Sequence, residues 1–140
     1  MRLMILINVV SCCIFCACRA RGEAQVEFNR DVRPILSENC FFCHGFDEGK
    51  RQADLRLDTR EGATRDRGDY AAIVPGHADQ SQLIERIFSH DPDIRMPPAE
   101  SARALTDAQR DILRRWIAQG AEYQQHWAYR KLERPGVPDD

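Results

Sequence analysis

The stretch Cys40-Phe41-Phe42-Cys43-His44 decides how the rest of the chain is interpreted. Two thiols separated by two residues and followed at once by an imidazole form the attachment pattern for a c-type haem. In that pattern the Cys40 and Cys43 thiols bond to the porphyrin, and His44 becomes the proximal ligand of its iron. Residues three apart lie on one face of a helical turn, about 5–6 Å from each other, so both sulfurs can reach one edge of the macrocycle. The pentapeptide therefore predicts one covalent haem c with its iron.

Two other chemistries use the same cysteine pair. A thioredoxin-like redox pair belongs to a βαβ setting, whereas the segment before Cys40 has helical periodicity and no strand alternation. A structural zinc site needs four ligands, commonly including a second cysteine pair, and only one such pair lies outside the N-terminal segment. Haem attachment is the favoured interpretation, with the redox pair and zinc as its alternatives.

The N-terminal segment predicts a secretory leader over residues 1–20. Arg2 precedes an apolar run from Leu3 to Ala17, and small residues and arginines follow. The run is short for a transmembrane helix. Cleavage would leave only the two motif cysteines, because the leader contains Cys12, Cys13, Cys16 and Cys18. We expect export to the periplasm or cell envelope, with membrane attachment only if the leader is retained or lipidated.

The charge of the chain argues against a nucleic-acid partner. Residues 1–20 hold two of the 20 basic residues and none of the 22 acidic ones, which leaves 18 basic residues beyond them. The formal net charge of that remainder is −4 (18 − 22). A surface that binds nucleic acid would instead show a basic stripe.

Helical spacing of apolar residues predicts four helices between residue 26 and residue 122. The expected start signals are Asp31, Asp58 with Glu61, Asp79 with Gln82, and Thr106 with Gln109. Pro34 falls in the first turn of the first helix, while Gly45 and Gly120 are expected to end the first and last helices. Leu55 to Asp58 alternates apolar and polar residues and predicts an extended piece with two leucines facing inward.

The apolar faces of these helices are the predicted core and the predicted wall of the haem pocket. The third helix should bury Leu83, Ile84, Ile87 and Phe88, and the last helix Ala108, Ile112, Leu113, Trp116 and Ile117. Candidates for the haem pocket are Phe41, Phe42, Leu55, Leu57, Leu83, Ile87 and Trp116. Candidates for pairing with the haem propionates are Arg33, Arg56, Arg60 and Arg95.

Met96 is the candidate for the second axial ligand. It is the only methionine beyond the leader, and it follows His44 by 52 positions (96 − 44). The prolines that follow it restrict the backbone, so the loop can hold the thioether against the iron. The alternative role for Met96 is to fill a gap in a small core. The rival ligands are His77, His90 and His126.

Several motifs taken together are similar to the planctomycete-type cytochrome c module. They are Asp31-Val-Arg-Pro-Ile-Leu36, Cys40-x-x-Cys-His44, Leu55-Arg-Leu-Asp58, Ile73-Val-Pro-Gly76, Arg95-Met-Pro-Pro98 and Trp116-Ile117-x-x-Gly120. The resemblance covers roughly residues 26–130. It implies an all-α, small class I-like cytochrome c fold with helices packed around the haem, and His44 and Met96 as axial ligands. It also implies fused C-terminal domains, so residues 123–140 are expected to be a linker toward a downstream domain.

The expected function is that of an electron-transfer module, not of an enzyme. A haem with both axial positions filled exchanges single electrons with a redox partner protein, which the sequence does not identify. The first alternative is a peroxidase-like haem enzyme, for which His90 and Arg95 could serve on an open distal side. The second is a haem-based sensor in which a ligand displaces Met96.

Overall fold

The computed structural model of the chain describes residues 24–125 and residue 128. Its helices are α1 (Arg33–Asn39), α2 (Phe41–His44), α3 (Arg60–Thr64), α4 (Gln82–Phe88) and α5 (Asp107–Ala118). A π-helical turn, Phe28–Val32, leads into α1, and two 3-10 turns lie at Ala78–Gln80 and Ala99–Ser101. The described part of the chain contains no strand, which confirms the all-α class. The predicted leader and nearly all of the predicted linker lie outside the described residues.

The helical winding at the N-terminal end begins earlier than the sequence predicted. It starts at Phe28, preceded by Glu27, so the prediction that Asp31 is the N-cap was wrong. The Asp31 carboxylate instead accepts a hydrogen bond from the Glu27 N–H (2.9 Å). Asp31 thus satisfies a free N–H from within the first turn. Pro34 lies in the first turn of α1, as predicted.

Gly45 ends the helical stretch after His44, as predicted, but the single first helix predicted to reach it is interrupted at Cys40 and forms α1 and α2. The stretch ends at Gly45 because two backbone segments approach closely there. A Cβ atom at this position would lie 2.3 Å from the carbonyl oxygen of Phe41. Only glycine avoids that clash, so the chain can leave the helix immediately after His44.

The residues predicted to cap α3 and α4 do not cap these helices. Thr59, not Asp58, caps α3, because the Asp58 carboxylate is held by the guanidinium of Arg56. Asp79 lies in a 3-10 turn and does not form a capping box with Gln82, since α4 begins only at Gln82.

The ends of α5 agree with the sequence. The Thr106 hydroxyl accepts from the Gln109 N–H (3.2 Å), and the Gln109 side chain accepts from the Thr106 N–H (2.9 Å). Gly120 has φ +106°, and the Ala121 N–H donates to the Trp116 carbonyl (3.0 Å). This is a left-handed glycine cap of the Schellman type.

The core lies where α5 packs against the N-terminal turn and α4. Phe28, Trp116 and Tyr123 form an aromatic cluster with ring centroids 4.5–5.6 Å apart. Leu83, Ile87, Leu113 and Ile117 are buried as predicted, whereas Ile84 and Ile112 are partly buried against the core. The prediction was wrong for Phe88 and Ala108, which are exposed.

Candidate functional site

A cavity of about 240 Å³ opens on the side of the domain that carries the cysteine motif. Its wall includes Cys40, Cys43 and His44 from the α1–α2 junction. Met96 and the two prolines that follow it contribute from the loop after α4. Two chain segments about 50 residues apart in the sequence (96 − 44 = 52) therefore meet at one cavity, which brings all four predicted site residues together.

The rest of the wall is mainly apolar. The predicted pocket residues that line it are Phe42, Leu55, Leu57, Leu83 and Ile87. Phe41 packs against the core instead. Trp116 is also absent from the wall, because it lies in the aromatic cluster, where its indole N–H donates to the Glu122 carbonyl (3.2 Å).

Backbone hydrogen bonds hold the cysteine motif in place. The N–H groups of Cys43 and His44 both donate to the Cys40 carbonyl (3.1 and 2.8 Å), which forms the single turn of α2. The carbonyls of Cys43 and His44 then accept from the N–H groups of Gln52 and Leu57 (2.7 and 2.8 Å). The loop after the motif thus returns to it and forms one wall of the cavity.

The two thiols are unpaired and half-buried. Burial raises the pKa of Cys40 to about 12, and the neighbouring Cys43 contributes in the same direction. Cys40 precedes the first residue of α2, but its burial keeps the thiol protonated, which differs from a reactive redox cysteine with a stabilised thiolate.

The His44 imidazole is half-buried at the cavity wall. Burial lowers its pKa, and the charges of Arg86 and Arg67 act in the same direction. The ring is therefore neutral at neutral pH, which is the form that ligates metals. Its Nδ1 atom is buried and has no hydrogen-bond partner among the described residues.

Met96 is positioned by its own backbone. Its N–H donates to the Arg86 carbonyl near the C-terminal end of α4 (3.0 Å). This bond fixes the loop against α4 and leaves the half-buried thioether at the cavity wall.

The rival axial ligands do not reach the cavity. Neither His77 nor His90 belongs to its wall, and His126 lies outside the described residues. The arginine candidates also differ from the prediction: Arg67, Arg86 and Arg103 line the cavity, not Arg33, Arg56, Arg60 and Arg95. The sequence carried one weak signal for Arg86, which lies between Leu83 and Ile87 on the face of α4 that they share. It carried none for Arg67, which lies in an irregular loop.

The donor set fits a haem better than the alternatives. Within residues 24–125 no group of three or more His, Cys, Asp or Glu side chains is placed to hold a metal ion, so the ligand set of a structural zinc site is not formed there. An apolar wall with two unpaired thiols, a neutral imidazole with an unsatisfied ring nitrogen and a thioether suits a flat apolar cofactor with an iron centre.

Residues 40–100 match the family model for planctomycete cytochrome C. This segment is therefore similar to a planctomycete cytochrome C domain. The match spans 61 of the 140 residues (100 − 40 + 1) and includes both motif cysteines, His44 and Met96, and it confirms the family resemblance of the sequence. No curated protein and no solved structure matches the chain.

The family assignment carries a coarse function. Cytochrome c domains hold iron in a covalently attached haem and typically transfer electrons without catalysing a reaction. None of the helices in the described part of the cytochrome c domain is long and apolar enough to cross a membrane.

Proposed function

We propose that this domain carries single electrons on one covalently attached haem c, with His44 and Met96 as axial ligands in a small class I-like cytochrome c fold. The observation that carries the proposal is the shared cavity wall of Cys40, Cys43, His44 and Met96. When bound, the haem supplies a reversible one-electron couple, and the protein sets its potential through axial ligation and burial.

The surroundings of His44 support its role as the proximal ligand. Its neutral imidazole needs no deprotonation before it binds iron. Glycine at position 45 permits the close backbone approach by which the chain turns away just after His44. The backbone carbonyls of Cys43 and His44 accept hydrogen bonds from the returning loop, so the imidazole has little freedom to leave the cavity wall.

The cavity wall favours a carrier over a peroxidase-like enzyme. A peroxidase needs an open axial position and a distal acid or base. His90 and Arg95, the candidates for that distal role, do not line the cavity, and His44 is the only histidine among the described residues of its wall. We also propose that the protein is exported to the periplasm or cell envelope and exchanges electrons with a redox partner protein.

Replacement of Met96 tests the axial assignment. Met96→Ala should open one axial position, lower the reduction potential and let carbon monoxide bind the reduced form, because thioether ligation raises the potential and blocks the site. Redox titration and a reduced spectrum with and without carbon monoxide measure both effects. Ile94→Ala is the matched control, since Ile94 lies in the same loop but does not line the cavity.

The outcomes separate the parts of the proposal. A denaturing gel stained for haem reports covalent attachment in the parent protein before any variant is made. An unstained parent band would rule out the haem proposal as a whole. A stained Met96→Ala protein that keeps the parental potential and excludes carbon monoxide would rule out Met96 alone.

A further inference from the structure

Three arginines line the apolar cavity without forming an ion pair among the described residues. They are Arg67, Arg86 and Arg103, all half-buried. The ion pairs among the described residues involve other arginines, such as Arg56 with Asp58 and Arg65 with Asp54. Positive charge beside an apolar wall is costly unless an opposite charge or hydrogen bonds compensate for it.

Backbone carbonyls orient these guanidinium groups. Arg67 donates to the carbonyls of Ala53 and Asp54 (3.1 and 2.8 Å). Arg86 donates to the carbonyl of Ile94 (3.4 Å). Neutral carbonyls fix the direction of a guanidinium without neutralising its charge. The Asp54 carboxylate interacts with the charge of Arg67 but forms an ion pair with Arg65. Both Arg67 and Arg86 therefore retain the capacity to bind an anion.

Arg103 is engaged differently. Its Nε donates to the Glu38 carbonyl (3.1 Å), and its guanidinium lies 4.9 Å from the ring centroid of Phe42. A cation over an aromatic face has found a favourable partner. Arg67 and Arg86, in contrast, line the cavity together with His44. Two arginines that form no ion pair among the described residues therefore remain at the cavity wall.

We propose that Arg67 and Arg86 bind the two propionate groups of the haem and thereby raise its reduction potential. The inference rests on the proposed haem and adds the residues that hold its anionic edge. Propionates are carboxylates, and guanidinium groups bind carboxylates in a fork geometry that suits a fixed orientation. Both arginines are positioning residues, since they act on the iron only through the charge of the propionates.

The sign of the effect follows from Coulomb's law. The oxidised iron carries one more positive charge than the reduced iron, so nearby propionate charges favour the oxidised form. Arginines that neutralise these charges remove part of that preference and raise the potential. The same pairing lowers the pKa of a carboxylate by about 1–3 units, which moves its titration to lower pH.

Redox titration over a range of pH tests the assignment. Arg86→Gln should lower the potential and move the pH at which the potential rises on acidification to a higher value. Arg67→Gln should act in the same direction, and the double variant should show a larger fall than either single change. Arg86→Lys keeps the charge but loses the fork geometry, so its potential should lie between those of Arg86→Gln and the parent. The side chain of Arg86 is not needed for the bond to Met96, which uses the backbone carbonyl.

Arg33→Gln is the matched control, because Arg33 does not line the cavity, and its potential should equal that of the parent. The inference is overturned if Arg86→Gln and the double variant retain covalent haem and the parental spectrum but show the parental potential and pH profile. Those variants would leave the electron-carrier proposal intact. A parent protein without covalent haem would overturn both proposals.

Discussion

The two sides of this domain are packed in opposite ways. On the side of α5, Phe28 and Trp116 are each 1% exposed and Tyr123 packs against both rings. On the side of the cysteine motif, a cavity of about 240 Å³ is left between α2, α4 and the Met96 loop. Phe42, in the middle of the motif, is 53% exposed.

This difference in packing indicates that one side stabilises the fold and the other binds a cofactor. The aromatic side is complete with the residues of the chain, so it stabilises the fold by burying large apolar surfaces. The cavity side has an apolar wall, and the buried Nδ1 atom of His44 there has no hydrogen-bond partner among the described residues. Such a wall is stabilised only when a cofactor fills it. Changes on the aromatic side should therefore lower stability and leave the reduction potential unaltered.

Removing the cofactor should have the largest effect. A Cys40→Ala/Cys43→Ala double variant cannot attach haem covalently, so we expect loss of the cooperative thermal transition seen by circular dichroism in the parent. The physical reason is that a domain of this size buries little apolar surface and the cavity wall would remain in contact with water. A haem-free variant with a native-like, cooperative melt would show that the aromatic side alone suffices to fold the domain.

Truncating the aromatic cluster should have the next largest effect. Trp116→Ala should lower the free energy of unfolding of the haem protein by about 3–5 kcal/mol, because it removes a large buried ring and leaves a cavity. Its reduction potential should stay close to that of the parent, since Trp116 does not line the cavity. Urea denaturation and redox titration measure the two quantities.

The exposed aromatic residue Phe88 supplies the control for Trp116. Phe88 is 42% exposed on α4, so Phe88→Ala should change the free energy of unfolding far less than Trp116→Ala. A Trp116→Ala protein with a clearly shifted potential would mean that the aromatic side and the cavity are mechanically coupled, and the separation of roles would be wrong.

Local signals in the sequence predicted the parts of the fold that depend on neighbours in the chain. The Thr106–Gln109 capping box and the Gly120 cap each require only a few consecutive residues, and both were confirmed. The displaced start signals had a different cause. Asp31 and Asp58 both have side chains that can cap a helix. The helical stretch begins before Asp31, whose carboxylate binds the Glu27 N–H, and the carboxylate of Asp58 binds the guanidinium of Arg56.

The site shows the same division. The cysteine motif is local, and Met96 could be chosen because it is the only methionine after residue 20. The arginines on the cavity wall could not be chosen, because tertiary packing decides which of many arginines reaches a cavity. Exposure of Phe88 likewise depends on which elements lie beside α4, not on its helical spacing.

Removing the N-cap of α5 should have the smallest effect on stability, and it tests whether the aromatic side and the cavity side are independent. Thr106→Ala should lower the free energy of unfolding by about 1 kcal/mol, because the N–H of Gln109 loses its acceptor at the start of α5. Thr64→Ala is the matched control: the Thr64 hydroxyl donates to the Arg60 carbonyl within α3 and caps no free N–H, so its loss should change stability by less than about 0.5 kcal/mol. Since α5 carries the aromatic side, the haem spectrum and potential of Thr106→Ala should equal those of the parent. A shift in either would indicate that α5 also shapes the cavity.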